Sequence, residues 1–121
     1  MSKTAKTIFY FGIYIILLGL ILMVIPNVLL TIFTIPATTE VWIRVVGMLV
    51  FLLGYYYIRA ARNEEGMTKF FRWTVHTRSS VIVFFIIFVA LGFVKPILIL
   101  FGVIDLFGAI WTGITLRSST S

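Results

Sequence analysis

The sequence contains no cysteine, a single histidine and little charge. Without cysteine, its 121 residues form no disulfide, thiolate zinc site or iron–sulfur cluster. One histidine, His76, excludes a multi-histidine metal site and bis-histidine haem ligation within one subunit. No phosphate-binding glycine loop, hydrolase elbow or metal-ligand spacing is present. The sequence therefore predicts no catalytic set, no cofactor and no metal.

Charged residues make up 12% of the chain, about half of what soluble domains carry, and 61% of the residues are hydrophobic. The mean hydropathy of +1.15 excludes a soluble globular domain. Residues 7–39 carry no charge, and residues 79–116 carry only Lys95 and Asp105. The second run would extend about 57 Å as one helix, against a bilayer core of about 30 Å. We therefore expect it to turn at Gly92 and Lys95-Pro96.

These runs predict an all-α integral membrane protein, a four-helix bundle in one domain comprising residues 1–121. The predicted spans are about 8–25, 42–61, 79–94 and 96–116. After Pro26, the apolar residues 28–35 either prolong the first helix beyond a kink or lie at the interface. The first span is longer than a signal-peptide core and no A-x-A site follows it, so we expect an uncleaved helix.

Basic residues predict the orientation, because they are enriched in cytoplasmic loops. With the N-terminus inside, eight lie on the inner side: Lys3, Lys6, Arg59, Arg62, Lys69, Arg72, Arg78 and Arg117. The outer side holds two, Arg44 and Lys95. We expect both termini in the cytoplasm and no dual topology. The net charge of +6 then favours anionic lipid, not nucleic acid, as the partner.

The inner loop between Arg62 and Arg78 has room for a short interfacial amphipathic helix beginning near Asn63. Its apolar face is Met67, Phe70, Phe71, Thr74 and Val75. Four residues are predicted to contact lipid or a protein partner: Lys69, Arg72, Trp73 and Arg78. The alternative is a basic loop that aromatic side chains anchor without a further role. His76 is expected to be solvated or interfacial.

Asp105 is the strongest candidate for a functional polar residue. It lies nine residues past Pro96, about 13–14 Å along a helix and near the bilayer midplane, where charge is costly. Its helix face is small and polar and includes Thr112. A proton relay, a cation site, a ligand contact and a structural clamp remain open. Arg44, on a face with Gly47 and Gly54, either pairs with Asp105 or extends to outer headgroups.

Tyr55, Tyr56 and Tyr57 form an aromatic cluster at the inner end of the second span. With Trp73, Phe70 and Phe71, such residues are typical of the aromatic belt at a membrane interface. The alternative is the mouth of a site for a quinone-like or sterol-like ligand.

Four segments resemble small bacterial four-helix membrane proteins of the BphX-like and DoxX-like groups: Val41–Gly47, Gly54–Ala61, Phe70–Arg78 and Asp105–Thr112. The resemblance implies a four-helix membrane fold with Arg44 and Asp105 as polar core positions. Most members have no assigned activity. Some DoxX-like proteins are quinone-linked oxidoreductase subunits, and the wider superfamily includes sterol-binding proteins.

Three functional hypotheses follow. The first is a non-enzymatic accessory subunit, or a module that binds lipid or another hydrophobic ligand. The second is an oligomeric proton-coupled pore or carrier that uses Asp105. The third is a membrane enzyme subunit that handles a quinone or sterol at the tyrosine cluster. The first two allow a homo-oligomer, and the first also allows a membrane-protein partner.

Overall fold

A computed structural model describes residues 1–94 and 96–120, with side chains to residue 117. The helices are α1 (Lys3–Val24), α2 (Pro26–Ile32), α3 (Trp42–Arg62), α4 (Thr68–Ala90) and α5 (Ile99–Thr120), the last preceded by a 3₁₀ turn at Pro96–Leu98. The described residues contain no strand, so the predicted all-α class is confirmed. The chain forms two compact units, Ile8–Arg62 and Met1–Thr7 with Asn63–Ser121.

Within the described ranges, four helices are long and apolar enough to cross a membrane. They are Lys3–Val24, Trp42–Arg62, Thr68–Ala90 and Pro96–Arg117. The mean hydropathy of an 18-residue window in each is 2.5, 1.4, 1.6 and 2.2, respectively. Many large apolar side chains on these helices are exposed, such as Leu17 and Phe107 at 55% and 66%. Surfaces of this kind suit contact with lipid tails, and the four helices indicate a multi-pass membrane protein.

The predicted interfacial helix and third span are one continuous helix, α4. No proline or glycine interrupts residues 68–90. The hydroxyls of Thr74 and Ser80 donate to carbonyls three residues earlier, at 2.7 and 2.6 Å, so these polar residues are accommodated inside the helix. The helix also begins later than Asn63, because Gly66 has a φ of +76° in the turn that the Met67 N–H closes onto the Glu64 carbonyl.

The C-terminus of α4 is a Schellman motif centred on Gly92. The Gly92 and Phe93 N–H groups donate to the Val89 and Phe88 carbonyls at 3.0 and 2.9 Å. Gly92 has a φ of +78°, and the rings of Phe88 and Phe93 lie 6.5 Å apart, the apolar contact that accompanies this cap. The predicted turn at Gly92 is confirmed, but α4 ends at Ala90 and not at Val94. Lys95 lies outside the described residues.

In the unit Ile8–Arg62, glycines bring α1 and α3 together at backbone distance. A Cβ on Gly19 would lie 2.6 Å from both the Gly47 oxygen and the Phe51 nitrogen. A Cβ on Gly54 would lie 2.9 Å from the Gly12 oxygen. No side chain fits at such distances, and close approach of this kind is the usual role of small residues between membrane helices. Gly47 and Gly54, which share one face of α3, thus both lie against α1.

The segment after α1 is a separate short helix. Pro26 starts α2 because a proline lacks the N–H that the first turn of a helix leaves unused. The helix ends at Ile32, and in the turn after it Thr34 has a φ of +56°, which is unusual for a β-branched residue. The Ile35 N–H donates to the Leu30 carbonyl at 2.8 Å and closes this turn. The Asn27 side chain accepts a 2.9 Å hydrogen bond from the Thr38 N–H and holds the loop that leads to α3.

The other unit is a hairpin of α4 and α5 with the first residues of the chain. A Cβ on Gly102 would lie 2.9 Å from the Ile82 Cα, so the two helices are in close contact there. The Ser2 N–H donates to the Glu64 carboxylate at 2.9 Å, and the Thr7 hydroxyl meets the Thr112 hydroxyl at 2.6 Å. These two contacts fasten the beginning of α1 to this unit.

Candidate functional site

Arg78 is a buried cation at the middle of α4. It is the eleventh of the 23 residues of this helix and is 3% exposed. Its Nε donates to the Thr74 carbonyl, and its Nη2 donates to the hydroxyls of Thr74 and Thr112, at 3.2, 3.2 and 2.8 Å. A cation at mid-span is costly unless polar groups surround it, and these contacts offset part of that cost.

The hydroxyl groups around Arg78 form a chain with one direction. The Thr7 hydroxyl donates its hydrogen to the Thr4 carbonyl at 2.7 Å. The 2.6 Å contact between Thr112 and Thr7 must therefore use the Thr112 hydrogen. Thr112 in turn accepts from Arg78. Charge on the guanidinium thus polarises a line of hydrogen bonds from α4 through α5 to the start of α1.

Asp105 completes this group, which we call the polar centre: Arg78, Asp105, Thr74, Thr112 and Thr7. Asp105 is half-buried on α5, and Arg78 is the charged residue that acts on it electrostatically. Opposite charges that attract each other are the usual arrangement for ionisable groups inside membranes. The predicted polar-core residues Asp105 and Thr112 thus both interact with Arg78, Asp105 electrostatically and Thr112 through a hydrogen bond.

Arg44 has a different setting. Its Nη1 donates to the carbonyls of Met23 and Val24 at 2.6 and 3.2 Å. These are the last two residues of α1, whose carbonyls have no partner within the helix. A cation there also suits the negative end of the helix dipole. Arg44 therefore caps α1, whereas the charge on Asp105 is met by Arg78.

The assignment of Arg78 to an exposed basic surface is wrong. It rested on ending the inner loop at Arg78, and α4 instead continues through it. Two signals in the sequence favoured burial: Thr74 lies one helical turn before Arg78, and no helix breaker separates the loop from the span. Lys69, Arg72 and Trp73 are exposed as predicted, with Trp73 at 58%.

The three tyrosines do not share one surface. Tyr57 is 4% exposed, and its ring lies 5.9 Å from that of Phe11. Tyr55 and Tyr56 are 52% and 64% exposed. Successive residues on a helix point about 100° apart, so three in a row cannot line one opening. The predicted ligand mouth of Tyr55, Tyr56 and Tyr57 is therefore not formed as a unit.

A groove of about 290 Å³ lies between α4 and α5 at the end of the hairpin that carries Arg72 and Arg117. Its lining is Arg72, Val75, Gly113, Leu116 and Arg117. Both arginines are exposed. Sequence reasoning singled out Arg72 but not the groove, because the groove depends on the register between two helices.

Within the described ranges, no cluster of three His, Asp or Glu residues could hold a metal ion. His76 is exposed, as expected. No protein-family model matches the chain, and no curated protein or solved structure is significantly similar to it. The resemblance to the BphX-like and DoxX-like groups therefore stays a prediction.

Proposed function

We propose that this chain is a non-enzymatic multi-pass protein of the bacterial inner membrane that binds anionic lipid and serves as an accessory subunit. The observation that carries the proposal is that the first turns of α4 have one exposed basic and aromatic side and one buried side. Lys69, Arg72 and Trp73 are exposed there, whereas Phe71 and Thr74 are buried. A basic and aromatic surface next to an apolar span is the composition that holds a helix end at an anionic headgroup layer.

The distribution of charge supports cytoplasmic termini. Arg78 no longer counts as a loop residue, since it lies at mid-helix. Seven of the eight basic residues first assigned to the inner side then remain, against Arg44 and Lys95 outside. The excess of inner lysine and arginine still favours this orientation.

Anionic lipid is expected to bind in preference to neutral lipid. Titration of the purified chain in mild detergent, followed by native mass spectrometry, should detect phosphatidylglycerol adducts at about thirtyfold lower lipid concentration than phosphatidylcholine adducts. The reason is that Lys69 and Arg72 each contribute about 1 kcal/mol near an anionic surface. Raising the salt concentration should narrow the difference. Equal binding of the two lipids would contradict the proposal. The masses in the same spectra also give the number of protomers in the complex and the mass of any co-purified ligand.

A proton-coupled carrier is the second candidate, and the polar centre favours it. Asp105 beside Arg78, with a directed chain of hydroxyls, is an arrangement that can hold and pass a proton. In vesicles containing the reconstituted protein and a pH-sensitive dye, Asp105→Asn should abolish proton flux.

Thr115→Val is the matched control for this flux assay, because the Thr115 hydroxyl bonds only to its own helix in the contacts described, at the Thr112 carbonyl. A wild-type protein that moves no more protons than empty vesicles would rule out the carrier. The polar centre would then be a structural clamp between helices.

A further inference from the structure

The groove between α4 and α5 has a charged rim and an apolar floor. Arg72 and Arg117 are its charged members, and no carboxylate is among the described residues that line it. Val75, Leu116 and the backbone of Gly113 supply the apolar part. A pocket with two guanidinium groups above an aliphatic floor is complementary to an anion attached to a hydrocarbon chain.

Gly113 is the glycine in the lining of the groove. A Cβ at this position would lie 3.8 Å from the Val75 Cγ1, an ordinary contact distance, so a methyl group fits there. At Gly102, by contrast, a Cβ would lie 2.9 Å from the Ile82 Cα, which leaves no room for a side chain. The two helices are therefore packed less tightly at Gly113 than at Gly102.

The groove lies at the depth of a headgroup layer. Arg72 is four residues from the first residue of α4, and Arg117 is three residues from the last residue of α5. At 1.5 Å per residue, each arginine is about 5–6 Å from a helix end. Helices of 22 and 23 residues exceed the roughly 30 Å hydrocarbon core by only about 3–5 Å, so both arginines lie near its boundary, and their long side chains can extend to the headgroups.

We propose that the groove formed by Arg72, Val75, Gly113, Leu116 and Arg117 binds one anionic phospholipid, its phosphate between the two arginines and an acyl chain along the apolar floor. Guanidinium groups pair with phosphate oxygens in bidentate fashion. The proposal rests on the lipid-binding function proposed above, and it narrows a general attraction to one site of defined composition. It also assigns a role to Arg117, which the sequence did not single out.

The test is a phosphatidylglycerol titration of the full chain by native mass spectrometry. Arg72→Gln and Arg117→Gln should each weaken the first binding event about fivefold, the loss expected for one cation beside an anionic headgroup. Gly113→Leu should abolish that event without any change in charge, because its side chain fills the groove. Lys6→Gln is the matched control: it removes an exposed charge that lies outside the groove lining and should leave the first event unchanged.

Other outcomes distinguish this site from the general function. If the wild type prefers phosphatidylglycerol but Lys6→Gln weakens binding as much as Arg117→Gln, the attraction is diffuse and the single site is wrong. If the wild type shows no preference, the proposed function fails as well. Competition by glycerol phosphate at the titrating lipid concentration would mean a soluble phosphate ligand and overturn the lipid assignment. If Gly113→Leu does not fold, Arg117→Lys replaces it in the test. The proposed site predicts that Arg117→Lys binds phosphatidylglycerol more weakly than the wild type, although the charge is retained.

Discussion

Gly19→Ala is expected to lower the free energy of unfolding by about 1–3 kcal/mol, the usual cost of overpacking a tight contact. The new methyl group would lie 2.6 Å from the Gly47 oxygen and the Phe51 nitrogen. These are backbone atoms, which cannot rotate away as a flexible side chain can. The two helices must separate, and each contact along α1 and α3 weakens with the separation. Unfolding in mixed detergent micelles with increasing sodium dodecyl sulfate measures the change.

Two other glycines calibrate this result. Gly113→Ala meets no atom closer than 3.8 Å, so it should be neutral or stabilise the helix by up to about 1 kcal/mol. Gly12→Ala should fall between the two, since its nearest neighbours are side-chain atoms at 3.0 and 3.1 Å. If all three variants unfold alike, close approach of α1 and α3 does not stabilise the fold.

Arg78→Met is expected to destabilise the protein by about 1–3 kcal/mol, the usual cost of leaving buried polar groups without a hydrogen-bond partner. The substitution keeps a long apolar stem but removes the donor to the Thr112 hydroxyl and the charge opposite Asp105. Arg78→Lys should cost less, because a lysine keeps the charge but not the fork that reaches two hydroxyls at once. The same detergent unfolding experiment measures both variants.

A double-mutant cycle separates the charge interaction from the hydrogen bonds. Arg78→Met with Asp105→Leu should cost less than the sum of the single changes, by about 1–3 kcal/mol, because the double variant leaves neither charge alone. Arg78→Met with Thr115→Val is the control, and its effects should add. Additivity in the first cycle would mean that the two charged residues do not stabilise one another.

The number of apolar helices and the candidate Asp105 could be predicted from the sequence because both depend on composition along one chain segment. Charge-free length predicts a span, and a carboxylate inside a span is conspicuous. The partner of that carboxylate depends on which helix faces it, and one sequence does not determine this. Arg44 was the nearest alternative by helix position, yet it bonds to the end of α1, and Arg78 meets Asp105.

The boundaries of α4 were predicted less well than its existence. The change from polar to apolar residues near Ser79 predicts a helix start, but in the structure one continuous helix passes through it. The hydroxyls of Thr74 and Ser80 donate hydrogen bonds to carbonyls of the preceding turn. Polar residues of this kind therefore do not indicate a helix boundary. The glycines at 66 and 92, both with positive φ, mark the turns on either side of α4.

The glycines of α1 and α3 help to fix how the two helices align along their length. Gly12 meets Gly54 and Gly19 meets Gly47, and the two glycines of each helix are seven positions apart. Sliding one helix by a heptad, about 10 Å, would keep one glycine opposite a glycine but bring the other against a side chain. The same slide would take the Arg44 guanidinium away from the last carbonyls of α1. The seven-residue spacing of the glycines alone would also allow an antiparallel pair shifted by one heptad. The Arg44 hydrogen bonds to the end of α1 make this shifted pairing unfavourable during insertion.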